Sequence, residues 1–139
     1  MRKMKKIYLK QNAKVLFMGD SLTDCGRDRE DEHGVAGYVR VIKGLMPDLE
    51  VFNRGINGEC TKQILARTAP ECEKIHPDVI SILCGINDTT PRGEPPYMSG
   101  EAEFYDDYRK LLKTAYRYTD QVIVMEPFLV PKDFGMDGL

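Results

Sequence analysis

The residues best placed to do chemistry are Ser21 and its neighbours Asp20, Thr23 and Asp24, which close the run Val15-Leu16-Phe17-Met18-Gly19. Four apolar residues ended by Gly-Asp-Ser predict a buried strand that breaks into a sharp turn. Gly19 admits the bend and leaves Ser21 at its mouth. A serine at the carboxyl end of a central parallel strand can act as a nucleophile. Ser21 or Thr23 could instead cap the next helix, so on this stretch alone nucleophile and cap fit equally. Asp20 and Asp24 read as turn-stabilising side chains that hydrogen-bond local backbone.

Two further polar turns follow later strands. Val51-Phe52-Asn53 reads as a second strand, followed by Arg54-Gly55-Ile56-Asn57-Gly58, a turn built on two glycines. Val79 to Gly85 is the most strand-like run, apolar on both faces, and Asn87-Asp88 comes directly after it. Gln121 to Pro127 predicts a fourth strand.

Helices separate these strands. Tyr38, Val41, Ile42 and Leu45 recur at i, i+3, i+4, i+7 and predict an inward helical face, stopped by Pro47. Thr61 is a candidate cap for a helix that carries Ile64, Leu65 and Thr68 inward before Pro70. Phe104, Tyr105, Tyr108, Leu111, Leu112, Ala115 and Tyr116 mark the last helix, with Glu101 and Glu103 at its start and Lys113 and Arg117 near its end. Strands alternating with helices predict an α/β, flavodoxin-like doubly wound parallel sheet in a single domain, 1–139. The turns after strands one to three then open on one carboxyl edge, where this architecture places ligands.

Gly-Asp-Ser-Leu-Thr-Asp, Asn53-Arg54-Gly55 and Gly85-Ile86-Asn87-Asp88, in that order, resemble the first three sequence blocks of the SGNH (GDSL) hydrolases, a family of serine esterases and acyl hydrolases. The resemblance runs from Val15 onward. It implies Ser21 as nucleophile and an oxyanion site made of Ser21 N–H, Gly55 N–H and the Asn87 carboxamide. Such donors act on charge that grows on the carbonyl oxygen, and each is typically worth about 3–4 kcal/mol of barrier. Asp20 and Asp88, beside Ser21 and Asn87, are the candidate substrate-binding groups. The 27–33 and 89–99 loops, with Arg92 and Tyr97, are expected to frame the pocket. Their polarity suits a small acyl ester, such as an acetylated sugar.

The family's fourth element, an Asp-x-x-His carrying the base and its orienting carboxylate, is not present. The two histidines are His33 and His76. His76 precedes strand three, on the amino edge, roughly 20 Å from the other end of a six-residue strand. His33 follows Ser21 in a charged loop, which places a base poorly. The expectation is an impaired SGNH domain, truncated after the fourth strand, with Val122 to Met125 an open apolar edge through which copies could self-associate. A non-catalytic binding module on the same fold is the alternative.

Composition narrows the classes further. The 139 residues are 42% hydrophobic and 30% charged, enough for one soluble core. A net charge of −2 argues against a nucleic-acid or anionic-membrane surface. The basic start is followed by no apolar core, and no window approaches the roughly 20 apolar residues of a span, so a cytoplasmic protein with no membrane contact is expected. Cys25, Cys60, Cys72 and Cys84 form no C-x-x-C pair and read as free thiols. Glu30-x-x-His33 and Glu73-x-x-His76 lack a third ligand, so neither metal nor cofactor is expected. Gly19-Asp20-Ser21-Leu22-Thr23 has neither dinucleotide-binding glycine spacing nor a Walker lysine.

Overall fold

A computed structural model describes residues 5–89 and 98–127. Arg92, Tyr97 and most of the loop expected to frame the pocket lie outside the described residues.

Four strands form one parallel sheet in the order β2-β1-β3-β4: β1 Lys14–Gly19, β2 Glu50–Gly55, β3 Val79–Leu83 and β4 Val122–Met125. The side-chain period of two splits β1 between the two faces. Leu16 and Met18 join Phe52, Ile80 and Ile82 against α3 (Thr61–Ile75) and α4 (Glu101–Tyr116). Val15 and Phe17 join Val51 and Val79 against α2 (Gly37–Leu45) through Val39, with Tyr38 and Ile42 at its margin. Apolar residues on both faces make β1 and β3 central, as their unbroken apolar runs predict. The order reverses direction between β1 and β3, which fixes the crevice at their carboxyl ends.

Local details depart from the sequence expectation. Val39 is the fully buried residue of α2, whereas Val41 and Leu45, expected inside, are 61% and 77% exposed. The helical period holds, but the helix is turned so that Val39 and Ile42 meet the sheet. Cys60, not Thr61, stands at the N-cap of α3, where Gln63 Oε1 accepts the Cys60 N–H at 2.9 Å. Pro70 does not end that helix. It removes only the bond to the Ala66 carbonyl on an exposed side, while Cys72 and Ile75 beyond it are buried in the core and hold the last turn. Ile123 and Val124 of β4 are exposed, and β4 pairs only with β3 among the described residues. No helix among the described residues is long and apolar enough to cross a membrane.

Candidate active site

The turn after β1 is built by Asp20. Its backbone leaves the strand (φ −100°, ψ −147°), and Oδ1 accepts the Leu22 N–H at 3.0 Å, capping the single helical turn α1 (Ser21–Asp24). Asp20 is 0% exposed, and its side chain serves the turn. Capping by Asp20 leaves Ser21 at the first helical position, half-buried, and among the described residues its hydroxyl has no hydrogen-bond partner. Ser21 lines an open cleft of about 460 Å³ with Asn57, Arg27 and Arg29. Thr23, the other candidate cap, points elsewhere: its Oγ1 lies 3.0 Å from the Tyr38 hydroxyl. Burial pushes that phenol's pKa up.

The end of β2 packs directly beneath α1. A Cβ on Gly55 would lie 2.5 Å from the Thr23 carbonyl carbon and 2.7 Å from Asp24 Cα, so only glycine lets the two backbones approach. Gly55 N–H donates to Asn53 Oδ1 at 2.9 Å, and Gly55 O accepts from Arg27 Nε at 2.9 Å. Both backbone groups of Gly55 are thus engaged within the protein. Asn53 is the missed residue here. Fully buried, it also donates Nδ2–H to Thr23 O at 2.7 Å and so stitches β2 to α1. An asparagine inside an apolar strand, where the residue type is depleted, was the available signal. The second glycine of the same turn, Gly58, stands open instead. Its φ is +82°, no atom lies within 4 Å of where a Cβ would sit, and its N–H has no partner among the described residues.

Asn87 lies in the 3₁₀ turn Ile86–Thr89 after β3, buried, with Nδ2 donating to Glu59 O at 2.9 Å. The Asn57 N–H donates to Asp24 Oδ2 at 2.9 Å, and the Ile56 N–H to Gly19 O at 3.1 Å. These bonds join the ends of β1, β2 and β3 into one edge that carries Ser21, Gly58 and Asn87. Asp88 faces the interior. Oδ2 accepts the Thr61 N–H (3.0 Å) and hydroxyl (2.8 Å), and Oδ1 accepts the Ser99 hydroxyl (2.9 Å). A carboxylate buried at the positive end of α3 and given three donors is satisfied where it stands. Asp88 therefore fastens α3 and Ser99.

A profile of the GDSL-like lipase/acylhydrolase family matches residues 17–137. The chain belongs to that family. It is 34% identical over 132 residues to an acetylxylan esterase from Geobacillus stearothermophilus, covering 84% of this chain and 60% of that protein. Its fold is similar to a GDSL-like protein from Parabacteroides merdae (34% identity, TM-score 0.75, 92% of this chain and 65% of that one). It is also similar to a catalytic mutant of the acetylxylan esterase from Geobacillus stearothermophilus (30% identity, TM-score 0.73, 84% and 60%). The chain thus spans about 60–65% of the length of these relatives.

Neither histidine of this GDSL-family chain joins the serine. His33 is tied to β2, with Nδ1 2.9 Å from Val51 O and its ring 5.0 Å from that of Phe52, and it lines a different cavity, with Asn12 and Glu50. Asn12 and Glu50 stand at the amino ends of β1 and β2, although the loop that carries His33 starts at the carboxyl end. His76 is the exposed, left-handed C-cap of α3 (φ 53°). Among the described residues no three His, Cys, Asp or Glu side chains are grouped to hold a metal ion. Near the cleft, desolvation pushes the Arg27 guanidinium pKa down, partly offset by Asp24. Burial pushes the Cys84 thiol up to about 12, so it stays protonated near neutral pH.

Proposed function

We propose that this chain carries the nucleophile and oxyanion-binding part of an ester hydrolase acting on small acyl esters, with an acetyl group on a carbohydrate as the preferred class. The observation that carries the reading is a serine whose hydroxyl has no hydrogen-bond partner among the described residues, held by a buried cap in a cleft at the point where the strand order reverses. Ser21 Oγ attacks the ester carbonyl carbon as its proton passes to solvent water in the open cleft, and the carbonyl π electrons move to oxygen. Three donors receive that charge: Ser21 N–H, Gly58 N–H in place of Gly55, and the Asn87 carboxamide. Collapse of the tetrahedral intermediate expels the alcohol, which takes a proton from solvent, and water then hydrolyses the acyl-serine, releasing the acid and restoring the serine hydroxyl.

Both steps need a proton acceptor, and neither histidine serves. His33 is held at Val51 and His76 lies at the end of α3. Turnover by these residues alone is therefore weak, at the level that binding and an oxyanion site sustain without a complete triad, roughly 10³–10⁴ over water. Similarity to an acetylxylan esterase and the polar lining of the cleft by Asn57, Arg27 and Arg29 support the acetyl-carbohydrate class.

A fluorophosphonate tests the reading. Slow labelling, mapped to Ser21 by peptide mass and lost in Ser21→Ala, supports it. Absence of labelling together with saturable binding of xylooligosaccharide favours a binding module on the same fold.

A further inference from the structure

The loop between β2 and α3 is fastened by a charged contact that the chemistry above does not use. Glu59 Oε2 and Arg67 Nε pair at 2.7 Å, with side chains only 15% and 17% exposed. Each partner carries a second bond into the site. Glu59 O accepts from Asn87 Nδ2 at 2.9 Å, and Arg67 Nη2 donates to Gly19 O at 3.2 Å. Gly19 ends β1, two residues before Ser21, and its carbonyl also takes the Ile56 N–H. One ion pair therefore links the end of β1, the Gly58 loop and the turn after β3, with Arg67 anchored on the 15-residue helix α3. A largely buried, charge-assisted pair is shorter, stronger and less screened than a surface one.

We propose that the Glu59–Arg67 pair is the positioning device that keeps the serine turn, the Gly58 amide and the Asn87 carboxamide in register. Neither side chain acts on substrate. The donors it aligns work on charge that develops in the transition state, so loosening the pair lowers kcat and leaves KM nearly alone. Only this kinetic consequence rests on Ser21 being the nucleophile.

The test compares Arg67→Met, Arg67→Lys and Glu59→Gln, with 4-nitrophenyl acetate turnover and NMR hydrogen exchange read side by side. Arg67→Met and Glu59→Gln are expected to lower kcat about 10- to 100-fold with KM within about twofold, a fraction of what deleting an oxyanion donor costs. Arg67→Lys keeps the charge but lacks the planar fork that reaches two acceptors, so its kcat falls between. The double variant is expected to be no worse than the weaker single one. Protection of the Asn87 side-chain amide, to which Glu59 O contributes, falls in the first two variants while amides of Val15 to Met18 keep theirs. Should Arg67→Met fail to fold, the isosteric Glu59→Gln carries the comparison. Unchanged kcat in a folded variant, a loss no larger than its unfolded fraction, or unchanged Asn87 protection would overturn the proposal. A parent chain that neither turns over ester nor takes a phosphonate refutes the nucleophile reading instead, and the exchange measurement still decides the ion pair.

Discussion

Replacing Gly55 by alanine separates two roles for that glycine. If it stays bare to admit substrate, a methyl group slows the reaction and leaves stability alone. The structure instead places the new Cβ among three main-chain atoms: Asp24 N, the Thr23 carbonyl carbon at 2.5 Å and Asp24 Cα at 2.7 Å. No side chain can swing aside, so α1 must move as a body and break the Asn53 Nδ2–Thr23 O bond. Overpacking costs about 1–3 kcal/mol, and a clash with fixed backbone belongs at the upper end. At roughly 3–5 °C per kcal/mol for a chain of this size, Tm falls by about 10–15 °C. Gly58→Ala is the control: it meets no atom but keeps a φ of +82°, which costs about 1–2 kcal/mol, or roughly 3–10 °C. Thermal unfolding by circular dichroism reads both, and phosphonate labelling of Ser21 is expected to fall further in Gly55→Ala. A Gly55→Ala protein that melts with the parent would refute the packing argument and restore Gly55 as a candidate for the substrate side.

Further expectations follow from individual contacts. Asp88→Ala removes the acceptor of three hydrogen bonds at the start of α3 and is expected to cost about 1.5–3 kcal/mol in urea unfolding, charge-assisted bonds being the stronger class. Asp88→Asn should lose less, and equal stability of all three proteins would contradict the assignment. A thiol titration of the native protein should find Cys25, exposed in the Ser21 cleft, reacting first. Cys72 and Cys84, both pushed up to about 12 by burial, should react only after denaturation. The hydrogen bond from Lys10 and the Lys14 N–H bond hold the Asp78 carboxyl below its ordinary pKa, against opposing desolvation. A lowered folded-state pKa means stability that is present above the unfolded carboxylate value, near pH 4, and lost as pH falls through the folded one. Asp78→Asn should flatten that acid limb in a pH series of unfolding curves.

Much of this was legible because the apolar runs at Val15–Met18 and Val79–Leu83 allow little else: each is long enough for a strand and apolar on both faces. The three polar turns then had to share one edge. What escaped the sequence was phase and partner choice. The spacing of α2 fits an inward stripe through Val41 and Leu45 as well as one through Val39 and Ile42, and only contact with Val15, Phe17 and Val51 selects the second. Arg54-Gly55-Ile56-Asn57-Gly58 offers two glycines. Which is crushed under α1 and which stands open depends on how α1 lies across β2, a contact between segments thirty residues apart. The partners of Asp88 likewise come from α3 and Ser99, which its place in the sequence does not indicate.

The most direct measurement is a crystal structure of the chain after phosphonate treatment. The account predicts phosphorus bonded to Ser21 Oγ, with one phosphoryl oxygen about 2.7–3.1 Å from Ser21 N, Gly58 N and Asn87 Nδ2. An adduct on another residue, or a phosphoryl oxygen turned to solvent away from Gly58 and Asn87, would contradict it.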